Sequence, residues 1–182
     1  MNDHKVFPIT YYPWGDGNED RPEAWAEMRL DGTSLLVCLR CRQNDPRCVV
    51  TEIGGPVCTD DCLEFFLRPD PARLLYFNFE VNAAGVYHLG LGEGRHGRRV
   101  FDSLPDGFAF EPFRTGTEWG VDIRIDPVFF ETCFACLPSR HMYGNFYKCG
   151  DKTKSPHWGM WKPYDLSAPD FHRPELFGSI DL

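Results

Sequence analysis

The sequence predicts an all-β fold: an antiparallel β-sandwich of jelly-roll type, with long loops and at most one or two short helices. Three observations predict it. Apolar and aromatic runs are short and bounded by Gly, Pro, Asp or Asn, most clearly at 62–67, 75–82 and 86–91. Side chains within these runs alternate in character, as neighbours on a pleated strand must. Turn residues recur throughout, with 17 Gly and 15 Pro in 182 residues, so that about eight to eleven strands fit and little helix does.

The elements follow in order. Residues 1–22 hold Tyr11-Tyr12-Pro13-Trp14-Gly15 and an acidic, Gly-rich segment, and read as a short strand and a long loop. Residues 25–30 and 35–41 flank Asp31-Gly32, a hairpin signal; Pro22-Glu23-Ala24-Trp25 also resembles a helix start, and the hairpin is preferred. Residues 43–56 are a polar loop around a short strand at 48–53. After the central three strands, 92–99 form a Gly/Arg loop. Trp119, Val121, Ile123 and Ile125 alternate with Asp122 and Arg124 in a further strand. Residues 127–137 read as one short helix. The segments 145–151, 157–161 and 177–182 carry the last strand-forming runs, with a loop over 163–174. All of this fits one domain spanning 1–182.

In the central strands Leu63, Phe65, Leu67, Phe77, Phe79, Val81, Tyr87, Leu89 and Leu91 form one apolar wall. The opposite face carries Glu64, Tyr76, Asn78, Glu80, Asn82, His88 and Gly90. With tight turns near Pro71 and Gly85, Glu64 falls opposite Asn78, Asn78 opposite Gly90, and Glu80 between Cys62 and His88. A carboxylate, an amide and a bare backbone in one row suit a polyhydroxylated ligand. A solvated outer face is the plainer alternative.

Net charge is −8, and the one basic cluster, Arg95-His96-Gly97-Arg98-Arg99, is short and Gly-interrupted. Nucleic acid is therefore not an expected partner. No apolar run approaches the ~18–20 residues that span a bilayer, and the first residues lack a secretory pattern, so the expected location is cytoplasmic. Of the eight cysteines, Cys38 and Cys41 lie three apart on a strand and face opposite ways. Cys133-Phe134-Ala135-Cys136 is the better zinc candidate. Free buried thiols are the expectation, with disulfides and metal ligation as alternatives.

Trp158 and Trp161 follow a loop-type sequence. They either plug the end of the sandwich or offer an aromatic platform for a sugar ring, whose C–H faces meet the indole while carboxylates and amides take the hydroxyl edge. Glu64, Asn78 and Glu80 supply that edge, with Lys148 and His157 adding donors. A glycoside-active enzyme using Glu64 and Glu80 is one rival reading. An interaction domain with exposed aromatics and no sugar affinity is another. No nucleophile-elbow, zincin or phosphate-loop pattern occurs.

Several segments recur in a familiar order: Asp61-Cys62-Leu63-Glu64-Phe65-Phe66-Leu67, Asn78-Phe79-Glu80-Val81-Asn82, Trp119-x-Val121-x-Ile123-x-Ile125-Asp126, Asn145 to Asp151, His157-Trp158-x-x-Trp161 and Phe171-His172-x-Pro174-x-x-Phe177-Gly178. From about residue 25 onward the chain resembles the family 9-like carbohydrate-binding proteins, relatives of the modules attached to xylanases. The resemblance implies a β-sandwich without catalytic activity that binds mono- or oligosaccharides of plant-polysaccharide type, including chain ends. It implies Trp158 as one of two clamping aromatics and Glu64 as the edge carboxylate. The second clamp position falls just before Asp61, where the chain reads Pro56-Val57-Cys58-Thr59-Asp60, without an aromatic. Trp14, Trp161 or Tyr76 are the substitutes. Structural calcium is implied as well, with Asp60, Asp61 and the 16–20 loop as candidate ligands.

Overall fold

The computed structural model describes residues 4–15 and 21–182. The acidic 16–20 segment, a candidate calcium loop, lies outside the described residues. Among the described residues there are thirteen strands: β1 (Lys5–Ile9), β2 (Tyr11–Trp14), β3 (Glu23–Asp31), β4 (Ser34–Arg42), β5 (Cys62–Arg68), β6 (Tyr76–Asn82), β7 (Tyr87–Gly92), β8 (Arg99–Val100), β9 (Phe108–Arg114), β10 (Glu118–Ile125), β11 (His141–Cys149), β12 (Trp158–Met160) and β13 (Gly178–Asp181). One helix, α1 (Pro127–Phe134), and two single 3-10 turns complete the set.

The strands form two antiparallel sheets. The smaller runs β1-β3-β4-β10-β9 and the larger β2-β12-β11-β5-β6-β7-β8. The long strand β11 has a shared flank: its first half pairs with β13, from His141↔Asp181 to Gly144↔Gly178, and its end pairs with β12. Inward side chains of both sheets make one core. Ala26, Met28, Val37, Leu39, Val121 and Ile123 meet Leu63, Phe65, Phe77, Phe79, Leu89 and Phe146, and Phe129, Phe130 and Phe134 of α1 close one end. Pro127 starts that helix, and Ala135 ends it in the left-handed conformation at φ 55°.

The expected hairpin at 25–41 is β3–β4, closed by Gly32 at φ 63°. Two expectations need correction. Residues 48–53 do not form a strand: the Val49 and Val50 N–H groups both donate to Asp60 Oδ2 at 2.8 Å, so a buried carboxylate takes the place of a partner strand. The N-terminal segment holds two strands, one for each sheet.

The outer face of the larger sheet is not solvated. Phe66, Tyr76 and Tyr147 project from it into a second apolar layer with Trp14, Val57, Met160, Tyr164, Phe171 and Phe177. Most of that cover is chain from 161–177 and the loop before β5. Phe171 lies flat on Tyr147, with centroids 3.9 Å apart and planes 11° apart. A polar opening through this layer positions the candidate site.

Candidate functional site

Strands β5 and β6 carry the floor of the opening. Their observed register sets Glu64 opposite Glu80, not Asn78. The loop between them covers 69–75, longer than a tight turn, and shifts the pairing by two residues. A two-residue shift preserves faces, so the side-chain set survives while the partners change. Across β6 and β7 the expected pairs Asn78↔Gly90 and Glu80↔His88 hold.

A pocket of about 120 Å³ opens on this floor, lined by Glu64, Glu80, Cys58, Cys149, Asp151 and Trp158 on one side and by Arg95 and the Pro169–His172 segment on the other. Trp158 reaches it because β12 pairs with β11 and sets Trp158 opposite Cys149. Its indole N–H donates to Asp151 Oδ1 at 2.7 Å, which fixes the ring plane. Arg95 comes from the β7–β8 loop and holds Asp170 Oδ1 at 3.3 Å, joining the two far-side segments.

The pocket is rich in carboxylates and partly desolvated. Burial pushes the Glu64 carboxyl well above its ordinary range, and Glu80 opposite adds to the shift. Burial also raises Glu80, against the opposing effects of His88 and the Asn78 amide. Asp151 is raised by burial and partly restored by the Trp158 N–H. Burial holds the His172 imidazole down at about 3, so it enters the pocket as a neutral ring.

Of the residues singled out in the sequence, Trp158, Glu64 and Glu80 line one pocket. Asn78 stands behind it, donating to Glu80 Oε1 at 2.7 Å and accepting from Arg98. The bare backbone at Gly90 accommodates the protein itself: a Cβ there would lie 2.5 Å from Asn78 Oδ1 and 3.3 Å from Arg98 Nε. Arg98 fills that gap, its guanidinium 4.2 Å over the Tyr76 ring. Tyr76 is fully buried beneath, its hydroxyl 2.7 Å from His172 Nδ1.

Lys148, His157 and Trp161 lie elsewhere. Lys148 is on the inner side of the larger sheet, where its Nζ meets Asp61 Oδ1 at 2.7 Å, the Cys149 carbonyl at 3.0 Å and His157 Nε2 at 2.7 Å. Both Lys148 and His157 are buried and neither lines the pocket. Trp161, three residues past Trp158, turns to the other side and packs edge-on against Phe7 at 4.8 Å. Trp14 belongs to the second apolar layer, donating to the Leu166 carbonyl at 2.8 Å. Trp14 is paired with Trp158 across β2 and β12 but is buried in that layer, and none of the proposed substitutes lines the pocket. Cys58 lines the pocket at the position before Asp61, and Phe171 and His172 are the aromatic groups of the far wall.

Asp60 and Asp61 are not arranged for calcium, which takes about six to eight oxygen ligands. Asp60 Oδ2 accepts from two backbone N–H groups and Asn82, and Oδ1 faces Arg47 Nε at 3.3 Å. Asp61 accepts from Gln43, the Arg47 N–H and Lys148. Donors occupy both oxygens of Asp61 and Oδ2 of Asp60, while Asp60 Oδ1 has the Arg47 ion-pair contact but no hydrogen bond among the described residues. All eight cysteines are free thiols.

Sequence reasoning missed Arg95, Asp151, Asp170, Phe171 and His172 as pocket residues. Asp151, Phe171 and His172 belong to the recurring segments, which was the available signal. Arg95 sits in a loop whose composition reads as solvated, and nothing local marks it.

The model of carbohydrate-binding family 9 matches residues 8–182. Among solved structures, a Bacteroides uniformis protein to which carbohydrate binding has been assigned is 27% identical, with a TM-score of 0.82, covering 97% of this chain and 85% of its own. A family 9 carbohydrate-binding module from Caldicellulosiruptor kristjanssonii in complex with cellotriose is 14% identical, with a TM-score of 0.63, over 97% of this chain and 81% of that one. A glucose complex of a family 9 module from that organism is also 14% identical, with a TM-score of 0.59 and coverages of 95% and 83%. At 14% identity these two show the fold. A comparison with curated proteins returns no match. The match over nearly the whole sequence places this chain in carbohydrate-binding family 9.

Proposed function

We propose that the pocket between Trp158 and the 169–172 segment binds a single sugar ring or the terminal unit of an oligosaccharide, without chemical conversion. The observation that carries this is the convergence of one indole and two sheet-borne carboxylates, Glu64 and Glu80, on one opening. The Trp158 ring presents its face to sugar C–H groups. Glu64, Glu80, Asp151 and Asp170 accept from hydroxyls, and Arg95 donates. The far wall closes the opening into a pocket, which favours a ring or chain end over the middle of a polymer. The sugar complexes of the two structural relatives make glucose and β-linked glucose oligomers the first ligands to try.

The carboxylate geometry supports binding without hydrolysis. Glycosidase pairs flank the scissile bond. Glu64 and Glu80 rise side by side from one sheet floor and meet a ligand from the same side. Calorimetric titration with glucose, cellobiose, cellotriose and xylose tests the reading. At least one binds at one site per chain, and chromogenic glycosides release no product. Heat from none of a broad glycan panel contradicts it, and so does turnover that is lost in Glu64→Gln.

A further inference from the structure

Sugar binding leaves the pocket's sulfur chemistry unused. Cys62 and Cys149 stand directly opposite each other across β5 and β11. Glu64, two residues along β5, shares their face. The two Sγ atoms and a Glu64 carboxylate oxygen lie within 4.8 Å of one another, and all three residues are buried. Cys149 Sγ is 2.7 Å from Glu64 Oε1. In a tetrahedral site with metal–sulfur bonds of about 2.3 Å and metal–oxygen bonds of about 2.1 Å, neighbouring donors sit roughly 3.5–3.8 Å apart. The observed donor separations, from 2.7 Å to at most 4.8 Å, bracket those values.

A second observation points the same way. Four carboxylates line the pocket, from Glu64, Glu80, Asp151 and Asp170, against the single guanidinium of Arg95. Burial favours the neutral forms of Glu64, Glu80 and Asp151, and a cation held at this floor would stabilise their ionised forms.

We propose that Cys62, Glu64 and Cys149 bind a thiophilic divalent cation of the zinc class, with a fourth coordination position open to the pocket. The two sulfurs select a soft ion over calcium or magnesium, which take oxygen donors. As two metal–sulfur bonds form, two S–H bonds break and both protons pass to solvent, as does any proton on Glu64. Burial raises the Cys62 thiol to about 12 and Cys149 well above its usual value. Affinity therefore climbs steeply with pH as proton release becomes easier. Binding at this set is independent of the sugar reading, because it is measured with no sugar present.

Reduced, metal-free, untagged protein titrated with Co²⁺ tests it. The expected result is a thiolate-to-cobalt charge-transfer band saturating at about one ion per chain and bleached by Zn²⁺. Affinity falls about 100-fold or more in Cys62→Ser and Cys149→Ser and is unchanged in Cys38→Ser, whose thiol lies on the other sheet. The absence of the band overturns the proposal, and so does its survival in the double variant. Should those variants fail to fold, zinc-edge X-ray absorption on the wild type decides: two sulfur scatterers plus oxygen support the site, and none or four overturn it.

Discussion

Glu64 lies directly across from Glu80, carboxyl beside carboxyl, on the floor of a pocket walled by Trp158. Two buried like groups are an arrangement that folding stability disfavours and ligand binding can use. Glu80→Gln keeps the acceptor that Asn78 binds and removes one buried acid. It is expected to stabilise the protein by about 1 kcal/mol in chemical denaturation while weakening sugar affinity. A loss of several kcal/mol would instead make Glu80 a partner in a stabilising ion pair.

Lys148 and Cys149 are adjacent in sequence and serve opposite sides of the sheet. Lys148 is fully buried against Asp61 and His157, below the Trp119 ring. Burial pushes the Asp61 carboxyl up, but Lys148 and the Gln43 and Arg47 donors outweigh it and hold it below the ordinary range. Removing one partner strands the other charge. Lys148→Met is expected to cost about 3–5 kcal/mol of folding stability, with sugar affinity of the folded fraction unchanged. The pair of measurements separates a scaffold lysine from a ligand-binding one.

His172 stays neutral in the fold because burial, aided by Arg98 and Arg95, lowers its pKa to about 3. In the unfolded chain it charges near 6.5. Between those values the unfolded state binds a proton that the folded state refuses, so stability falls as pH drops from about 6.5 toward 3. Proton NMR should show no titration of the His172 ring between pH 8 and 4, and His172→Gln should flatten the acid side of the stability profile. A ring titrating near pH 6 would contradict the buried geometry.

The sheets were legible wherever alternation was strong. The nine-residue apolar wall and the 119–125 alternation appear as read, because inward-facing positions on a sandwich strand have one chemistry. Pairing was less legible. The 69–75 loop is longer than its Pro signals, and only turn geometry fixes register. The second apolar layer was hidden for a different reason: Tyr164 and Phe171 sit in a segment of loop composition, and nothing local says a loop will cover a sheet. Trp158 and Trp161, read together as candidate sugar-binding aromatics, part in the structure because Trp161 lies just past the end of β12 and packs against Phe7. Lys148 and His157 show the limit of reading by motif, because polar residues beside a site motif read as ligand contacts when a buried ion pair claims them.

The most direct test compares Trp158→Ala with Trp161→Phe by titration calorimetry, using whichever sugar the wild type binds and thermal melts as the folding control. Trp158→Ala is expected to abolish binding while keeping a cooperative melt, and Trp161→Phe to lower the melting temperature while the folded protein still binds. Wild-type affinity in Trp158→Ala would contradict the account.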